Sequence, residues 1–194
     1  MHQSEEALKY FNTCQTEFWS KVFAAEFAYL MKHLHPEDEI LSVGCGPAII
    51  EKKLIENGFA VIGQDVSQEA IACAPDSIRA VIAPAENMPF SEATFDVVLF
   101  IVSLQFIADY RQALAESRRV LRSKGRVILL LLNPESVFYK RKQTEVDSYV
   151  RKIKHTDLGE IESTMTELFA SQGESFLGIA DEQIAPSVMS TLIS

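Results

Sequence analysis

Two glycines separated by one residue, Gly44 and Gly46, follow a short apolar run at residues 40–43, and Pro47 comes directly after them. Glycine permits a tight turn and lets a ligand approach the backbone with no side chain between them. Where such a turn leads into a helix, backbone N–H groups and the positive end of the helix dipole favour an anion. Pro47 suits the first helical turn, because the N–H that it lacks would have no partner there. The stretch therefore predicts a binding site for the anionic end of a ligand.

A carboxylate at the right distance suggests what the rest of that ligand is. Asp65 lies about 20 residues beyond the glycines, where an acid after the second strand can accept the hydroxyls of a ribose. The dinucleotide fingerprint GxGxxG would need a third glycine at the position of Ile49, which argues against a pyrophosphate. The residues thus predict a nucleoside that carries a small carboxylate. Two plainer explanations stay open: a simple tight turn, and Asp65 as a helix cap beside Ser67.

The elements that must position these residues alternate between strands and helices. Apolar runs predict strands at 40–43, 60–64, 79–83, 95–102 and 126–132. Helical signals lie between them, at 47–57, after Ser67, and at 109–121, where Asp109 is a candidate cap and the sequence SKG an end. Such alternation predicts a mainly parallel sheet with right-handed crossovers and helices on both faces.

The two ends of the chain depart from this alternation. Aromatic and aliphatic residues at helical spacing predict one amphipathic helix that begins at Asn12 and ends near Pro36, with Trp19 in the core in preference to a lid over the bound ligand. After residue 134 the chain is polar and basic, and a helix is predicted at 158–170. Two strands at 174–184 and 187–193, hinged at Pro186, predict an antiparallel hairpin at the sheet edge.

Composition limits the class of protein. The chain has 194 residues, 47% of them hydrophobic and 23% charged, which fits one globular domain. The net charge of −9 argues against nucleic-acid binding. No stretch is long and apolar enough for a membrane span, and no leader is apparent, so we expect a cytoplasmic protein. Three isolated cysteines predict neither disulfides nor a metal site.

Four stretches in order resemble the motifs of class I S-adenosylmethionine-dependent methyltransferases that act on small molecules. They are ILSVGCGPA, VIGQDVS, APAENMPF and ATFDVVLFIVSLQFIADYRQALAESRRVLRSKGRVILLL, which together cover about residues 38–133. The resemblance implies a Rossmann-like α/β fold, a seven-stranded sheet with an antiparallel last strand, and the cofactor S-adenosyl-L-methionine. It also implies one domain, with an N-terminal helical cap at 1–37, a cofactor-binding core at 38–133 and a substrate-side segment with the C-terminal hairpin at 134–194.

The same resemblance implies a role for each motif residue. The turn at Gly44, Cys45 and Gly46 would lie beside the methionine part of the cofactor. Asp65 would bind the ribose, and Val66 would lie against the adenine. The remaining predicted residues would border the adenine edge or flank the cofactor after the fourth strand: Ala85, Glu86, Ile101 and Ser103. A second, more limited resemblance of TCQTEFWSKVF and LLLNPESVFYK to corrinoid-protein-associated methyltransferases implies a protein partner.

This chain departs from the family pattern at three positions. The family commonly has acids where Ser42 and Pro84 stand, and a glycine where Ala48 stands. Loss of the first acid removes help for the cofactor's ammonium group, and loss of the second removes a partner for the adenine amino group. These departures keep open a non-catalytic, methyltransferase-like binding protein, while a nicotinamide-dependent oxidoreductase is disfavoured by Ile49.

No motif in the sequence identifies the methyl acceptor or a catalytic base. A sulfonium cofactor brings its own activated methyl group, so the protein must mainly orient the partners and exclude water. Candidates for a general base can be named by residue type alone: His33, His35, His155, Tyr10, Tyr139, Tyr149 and Asp109. A basic cluster could meet an anionic substrate or simply be solvated: Lys140, Arg141, Lys142, Arg151, Lys152 and Lys154.

Overall fold

The fold was analysed in a computed structural model that describes residues 2–180, 183–185 and 191–193. Its helices are α1 (His2–Cys14), α2 (Glu17–Leu30), α3 (Ile49–Glu56), α4 (Gln68–Ile71), α5 (Tyr110–Val120), α6 (Val137–Thr144) and α7 (Leu158–Leu168). Its strands are β1 (Glu39–Val43), β2 (Ala60–Asp65), β3 (Arg79–Ile82), β4 (Phe95–Ile101), β5 (Leu121–Leu131), β6 (Gly173–Ser175), β7 (Gly178–Ala180), β8 (Gln183–Ala185) and β9 (Thr191–Ile193). Short 3-10 turns occupy Leu104–Phe106 and Tyr149–Lys152.

Seven strands form one sheet in the order β3-β2-β1-β4-β5-β9-β6. The first five pair in parallel, whereas β9 runs antiparallel to both β5 and β6. The predicted Rossmann-like sheet with an antiparallel last strand is therefore confirmed. Strand order reverses at β1 and β4, and in open sheets of this kind the carboxyl ends of the strands at such a point form a ligand crevice.

Apolar side chains bury both faces of the sheet. On one face, Phe100 and Leu129 pack with residues of α5 and α7 such as Leu114 and Met165. On the other face, Ile40 and its neighbours pack with Leu30 of α2 and with Ile50 and Leu54 of α3. Continuous apolar strands such as β4 thus reflect burial on two sides. Among the residues that the structure describes, no helix is long and apolar enough to cross a membrane.

The N-terminal helix differs from its prediction. Two helices replace one, because Thr16 adopts an extended conformation (φ −69°, ψ 155°) and ends the continuity between α1 and α2. Asn12 lies inside α1 and caps nothing; its carbonyl accepts the N–H of Gln15 in the turn. The helix after the glycine turn also begins later than predicted, at Ile49, since Ala48 takes a left-handed conformation with φ 57°.

Strand β5 and the C-terminal hairpin also differ from prediction. The sequence SKG does not form a loop after α5, because β5 starts directly at Leu121 and continues through a register shift opposite Phe95 and Val97. The C-terminal pairing is between β6 and β9, and β7 and β8 form a separate small hairpin between them. The predicted hinge at Pro186 lies outside the described residues. The basic segment after residue 134 contains α6, which the sequence did not predict.

Candidate functional site

A cavity of about 830 Å³ opens at the carboxyl ends of β1, β2 and β4. All of the predicted cofactor residues except Cys45 line it: Gly44, Gly46, Asp65, Val66, Ala85, Glu86, Ile101 and Ser103. Cys45 is not among the described lining residues, and its Sγ lies 2.7 Å from where a Cβ on Gly63 would be. We call the strand-end side of this cavity, represented by Gly44, Gly46, Asp65 and Ser103, the strand-end wall.

Gly44 is required by its contact with the end of β4. Its φ is +74°, and a Cβ added to it would lie only 2.4 Å from the Cβ of Ser103. Ser103 is fixed in this position because its Oγ donates a hydrogen bond of 2.6 Å to the carbonyl of Val43. Gly46 also has a positive φ of +53°, but no atom lies within 4 Å of its virtual Cβ. The two glycines therefore serve different purposes: close packing at Gly44 and turn geometry at Gly46.

The N–H groups of this turn are not free, contrary to the sequence expectation. Gly44 and Cys45 donate to the carbonyl of Gln64, at 2.7 and 3.1 Å, and Gly46 donates to Oδ2 of Asp65 at 2.8 Å. The reason is that the end of β2 lies directly beside the turn, with Val43 in register with Gln64. The turn is thus held by internal hydrogen bonds, and its shape does not depend on a bound anion.

Asp65 joins the turn to the segment after β2. Its second oxygen, Oδ1, accepts the N–H of Ser67 at 2.8 Å, and Ser67 in turn caps α4 by accepting the N–H of Ala70. Asp65 therefore orders the turn and the start of α4 without being the cap itself. Each carboxylate oxygen can accept more than one hydrogen bond, so both remain able to accept ribose hydroxyls.

The end of β4 carries a strained residue at the cavity. Val102 has a φ of +51°, which is rare for a β-branched side chain, and its N–H donates to the carbonyl of Leu130. Strain of this kind persists where the surroundings impose it, and it is concentrated at functional sites. Val102 and its neighbours Ile101 and Ser103 all line the cavity.

A buried acid lies behind the strand-end wall. Glu51, in the first turn of α3, is 2% exposed and accepts a hydrogen bond of 2.5 Å from Oγ of Ser42. Burial raises the pKa of Glu51 to about 7, although the hydrogen bond from Ser42 lowers it. Ser42, which stands where the family commonly has an acid, thus binds an acid from the neighbouring helix.

The opposite side of the cavity is made of helices and is rich in aromatic side chains. We call it the helical wall; its residues are Tyr10, Trp19, Phe23, Glu26, Phe138 and Tyr149. The ring of Trp19 lies 5.8 Å from Phe23, 6.2 Å from Phe138 and 5.9 Å from Tyr149, measured between ring centroids. Trp19 is thus half-buried among aromatic rings and also lines the cavity, which combines features of the two alternatives, core and lid. Its helical spacing was a correct signal for a buried face, but it could not indicate that the face borders a cavity.

Two buried polar atoms of residues that line the cavity have no hydrogen-bond partner in the described part of the chain. They are Oε2 of Glu26 and Oε1 of Gln64, both hydrogen-bond acceptors. The orientation of the Gln64 amide is fixed, because its Nε2 donates to the carbonyls of Ala83 and Pro84. Unsatisfied buried acceptors are rare in proteins and indicate that a donor, from a ligand or water, belongs beside them.

The candidate bases are distributed unevenly. Tyr10 and Tyr149 line the cavity, and burial raises the pKa of both phenols, so they are neutral hydrogen-bond donors. Asp109 caps α5 by accepting the N–H of Gln112. His155 contacts the carbonyl of Ile107 through Nε2 and packs against Tyr110. From the basic cluster, Lys152 and Lys154 line the cavity.

Comparison with known proteins agrees with this geometry. A family model described as a methyltransferase domain matches residues 41–129. The chain is 31% identical to the biotin biosynthesis bifunctional protein BioHC of Cellvibrio japonicus, over 57% of this chain and 23% of that protein. It is 30% identical to the demethylmenaquinone methyltransferase of Symbiobacterium thermophilum, over 60% of this chain and 49% of that protein. The chain thus spans about half or less of the length of these curated relatives.

A solved structure shares the fold over most of both chains. It is a SAM-dependent methyltransferase of Thermotoga maritima, described as a possible histamine N-methyltransferase, with a TM-score of 0.69 and 18% identity over 88% of this chain and 87% of that one. At this identity the likeness establishes the fold. The resemblance inferred from the four motifs is confirmed, with S-adenosylmethionine as the family's cofactor. The family model identifies residues 41–129 as a methyltransferase domain, and the fold of the chain agrees with that assignment.

Proposed function

We propose that this protein transfers the methyl group of S-adenosylmethionine to a small, flat and largely apolar acceptor. The observation that carries the proposal is that one cavity joins the strand-end wall, with its glycine turn and Asp65, to the aromatic helical wall. Its volume of about 830 Å³ lies in the range of small-molecule sites.

The cavity fits the cofactor at the positions where its polar groups are needed. Gly44 keeps side-chain atoms away from the path between β1 and β4, and Asp65 offers acceptors for ribose hydroxyls. The unpartnered Oε1 of Gln64, beside Pro84, would accept from the adenine amino group in place of the acid that the family commonly has there. When bound, the cofactor supplies an activated methyl group as a sulfonium.

The acceptor would lie against the helical wall. Trp19, Phe138 and Tyr149 present ring faces and edges that favour a planar or aromatic molecule. The name of the Symbiobacterium relative refers to a menaquinone precursor, which is a molecule of that kind. The chain's contribution is to orient the acceptor and exclude water, and this can supply a large part of the rate enhancement. A corrinoid protein as a further partner stays an untested prediction.

Calorimetry with S-adenosylhomocysteine tests cofactor binding. We expect saturable binding to the wild-type protein, and we expect Asp65→Ala to weaken it by about 10- to 100-fold, the range for hydrogen bonds to a charged group. Asp76→Ala, an exposed acid that does not line the cavity, is the matched control and should bind like the wild type. Unchanged affinity in Asp65→Ala would remove the ribose role.

A methyl-transfer screen tests the acceptor. With isotopically labelled S-adenosylmethionine, we expect label in hydroxylated aromatic or quinone compounds, and we expect Trp19→Ala to raise the KM for them more than for the cofactor. Binding of S-adenosylhomocysteine with no transfer to any acceptor class would favour a non-catalytic binding protein. A saturable change in NADH fluorescence, with no response to S-adenosylhomocysteine, would instead support the oxidoreductase alternative.

A further inference from the structure

Glu26 is an acid in an unusual position. It lies on the same face of α2 as Trp19, Val22 and Phe23, at the helical spacing i, i+3, i+4 and i+7, and all four residues line the cavity. Glu26 is only 5% exposed, and its Oε2 has no partner among the residues that the structure describes. A carboxylate that is removed from water and left without a partner is strongly disfavoured. This side chain therefore needs either a proton or a cation.

Among the residues that the structure describes, the titratable groups in electrostatic range of Glu26 do not supply a cation. From α3 it faces Glu51, which is acidic; from α1 it faces Tyr10 and Cys14, and from the 3-10 turn after α6 it faces Tyr149. Each of these groups is neutral or negative. Burial, and then the charge on Glu51, raise the pKa of Glu26 to about 8, so without a ligand it is largely protonated at neutral pH.

The position of Glu26 along α2 indicates which end of the cavity it serves. The next turn of α2, with Tyr29 and Leu30, packs against Ile50 and Leu54 of α3, the helix that follows the glycine turn. Trp19, two turns earlier, packs with the aromatic rings of the acceptor side. Glu26 thus lies between these aromatic rings and α3, in electrostatic range of both Tyr149 and Glu51, and Glu51 belongs to the helix that follows the glycine turn, where the amino-acid tail of the cofactor is expected.

Glu51 is not available to pair with a cation in the cavity. Its carboxylate accepts the hydroxyl of Ser42, and it is not among the described residues that line the cavity. Ser42 therefore stands in β1 where the family commonly has an acid, and its hydroxyl already donates a hydrogen bond to Glu51. Glu26, in contrast, lines the cavity and has a buried oxygen without a partner among the described residues.

We propose that Glu26 is the carboxylate that binds the ammonium group of the cofactor's methionine part, so that α2 supplies the acid that β1 lacks. The inference rests on the proposed function and adds a residue outside the family motifs. It makes α2 part of the cofactor site, where the sequence placed it in a cap.

Binding measurements with three nucleosides test the assignment. The probes are S-adenosylhomocysteine, its analogue that lacks only the amino group, and 5′-methylthioadenosine, which lacks the whole amino-acid tail. We expect Glu26→Gln to weaken S-adenosylhomocysteine by about 10- to 100-fold and to change the other two by less than about twofold. Glu17→Gln, an exposed acid on the same helix, is the matched control and should leave all three affinities unchanged.

Proton release gives a second readout that a purely structural role would not move. Because Glu26 must ionise to pair with the ammonium group, S-adenosylhomocysteine should release a proton on binding at pH 7, measured by calorimetry in two buffers of different protonation enthalpy. The deaminated analogue should release none. This comparison uses the wild-type protein alone, so it decides the question even if Glu26→Gln does not fold.

The outcomes separate this inference from the function on which it rests. Wild-type protein that binds none of the three nucleosides overturns both. S-adenosylhomocysteine binding that Glu26→Gln does not weaken, or equal proton release by both ligands, overturns this inference alone and leaves the methyltransferase proposal in place.

Discussion

The two walls of the cavity are held together by different kinds of interaction. In the strand-end wall the hydrogen bonds of the turn are matched: the N–H groups of Gly44, Cys45 and Gly46 all have acceptors within β2, and Ser103 is fixed by the carbonyl of Val43. In the helical wall the contacts are mainly between aromatic rings, and Glu26 retains an oxygen without a partner in the described part of the chain.

This difference indicates which parts of the site are ordered before a ligand binds. A turn whose hydrogen bonds are complete keeps its shape before a ligand arrives, and such preorganisation lowers the cost of binding. A buried polar atom without a partner among the described residues, such as Oε1 of Gln64 or Oε2 of Glu26, can gain one from a ligand or from water. We therefore expect changes in the strand-end wall to affect folding first, and changes in the helical wall to affect ligand binding and pH dependence.

Gly44→Ala should have the largest effect on stability. The new Cβ would lie 2.4 Å from Cβ of Ser103 at a φ of +74°, which combines overpacking with a left-handed conformation. These two costs together are about 3 to 4 kcal/mol in the free energy of unfolding, measured by urea denaturation. Gly46→Ala is the control: with φ +53° and no atom within 4 Å, it should cost only about 1 kcal/mol. Equal losses in the two variants would contradict the close packing at Gly44.

The pH dependence of stability should identify Glu26 as the exceptional group of the helical wall. Its folded pKa, about 8, lies above its ordinary value of 4.5 because of burial and Glu51, so its contribution is fully present below about pH 4.5 and is lost as the pH rises through 8. Between pH 5 and 8 the ligand-free wild type should lose about 3 kcal/mol of unfolding free energy relative to Glu26→Gln. Glu51→Gln should show the same trend over a narrower range, since the pKa of Glu51 is about 7. Parallel pH curves for the wild type and Glu26→Gln would contradict this.

Lys9→Ala should have the smallest effect. Lys9 forms an ion pair of 2.9 Å with Asp147 that links α1 to the loop after α6, and the two side chains are 67% and 75% exposed. Exposed pairs of this kind contribute little, so Tm should shift by less than about 1 °C in a thermal melt. Lys21→Ala, which breaks an exposed pair within α2, is the control. A drop of several degrees in Lys9→Ala alone would show that this pair fastens the helical wall.

The strand-end wall could be predicted from the sequence because its signals are local. Gly44 and Gly46 at the end of an apolar run, and Asp65 at the end of the next, define a strand-turn-helix unit and its neighbour within about 25 residues. What the residues could not convey is that the turn's N–H groups have internal acceptors, because this depends on the register between β1 and β2. The hydrogen bond from Ser42 to Glu51 likewise depends on how α3 lies over β1.

The helical wall could not be predicted, because its residues come from segments far apart in the chain. Helical spacing indicated that Trp19, Phe23 and Glu26 share a face, but not that Phe138 and Tyr149 would meet them. The break at Thr16 and the helix α6 were also missed, since neither carries a strong local signal.

The sequence by itself determined the α/β fold class, the alternation of strands and helices in the core and the residues of the glycine turn, because hydrophobic period and turn chemistry act over a few residues. Only the tertiary structure decided that an acid on α2 lines the cavity. The burial that leaves Oε2 of Glu26 without a partner among the described residues is a property of packing between α1, α2 and α3, and no local pattern encodes it.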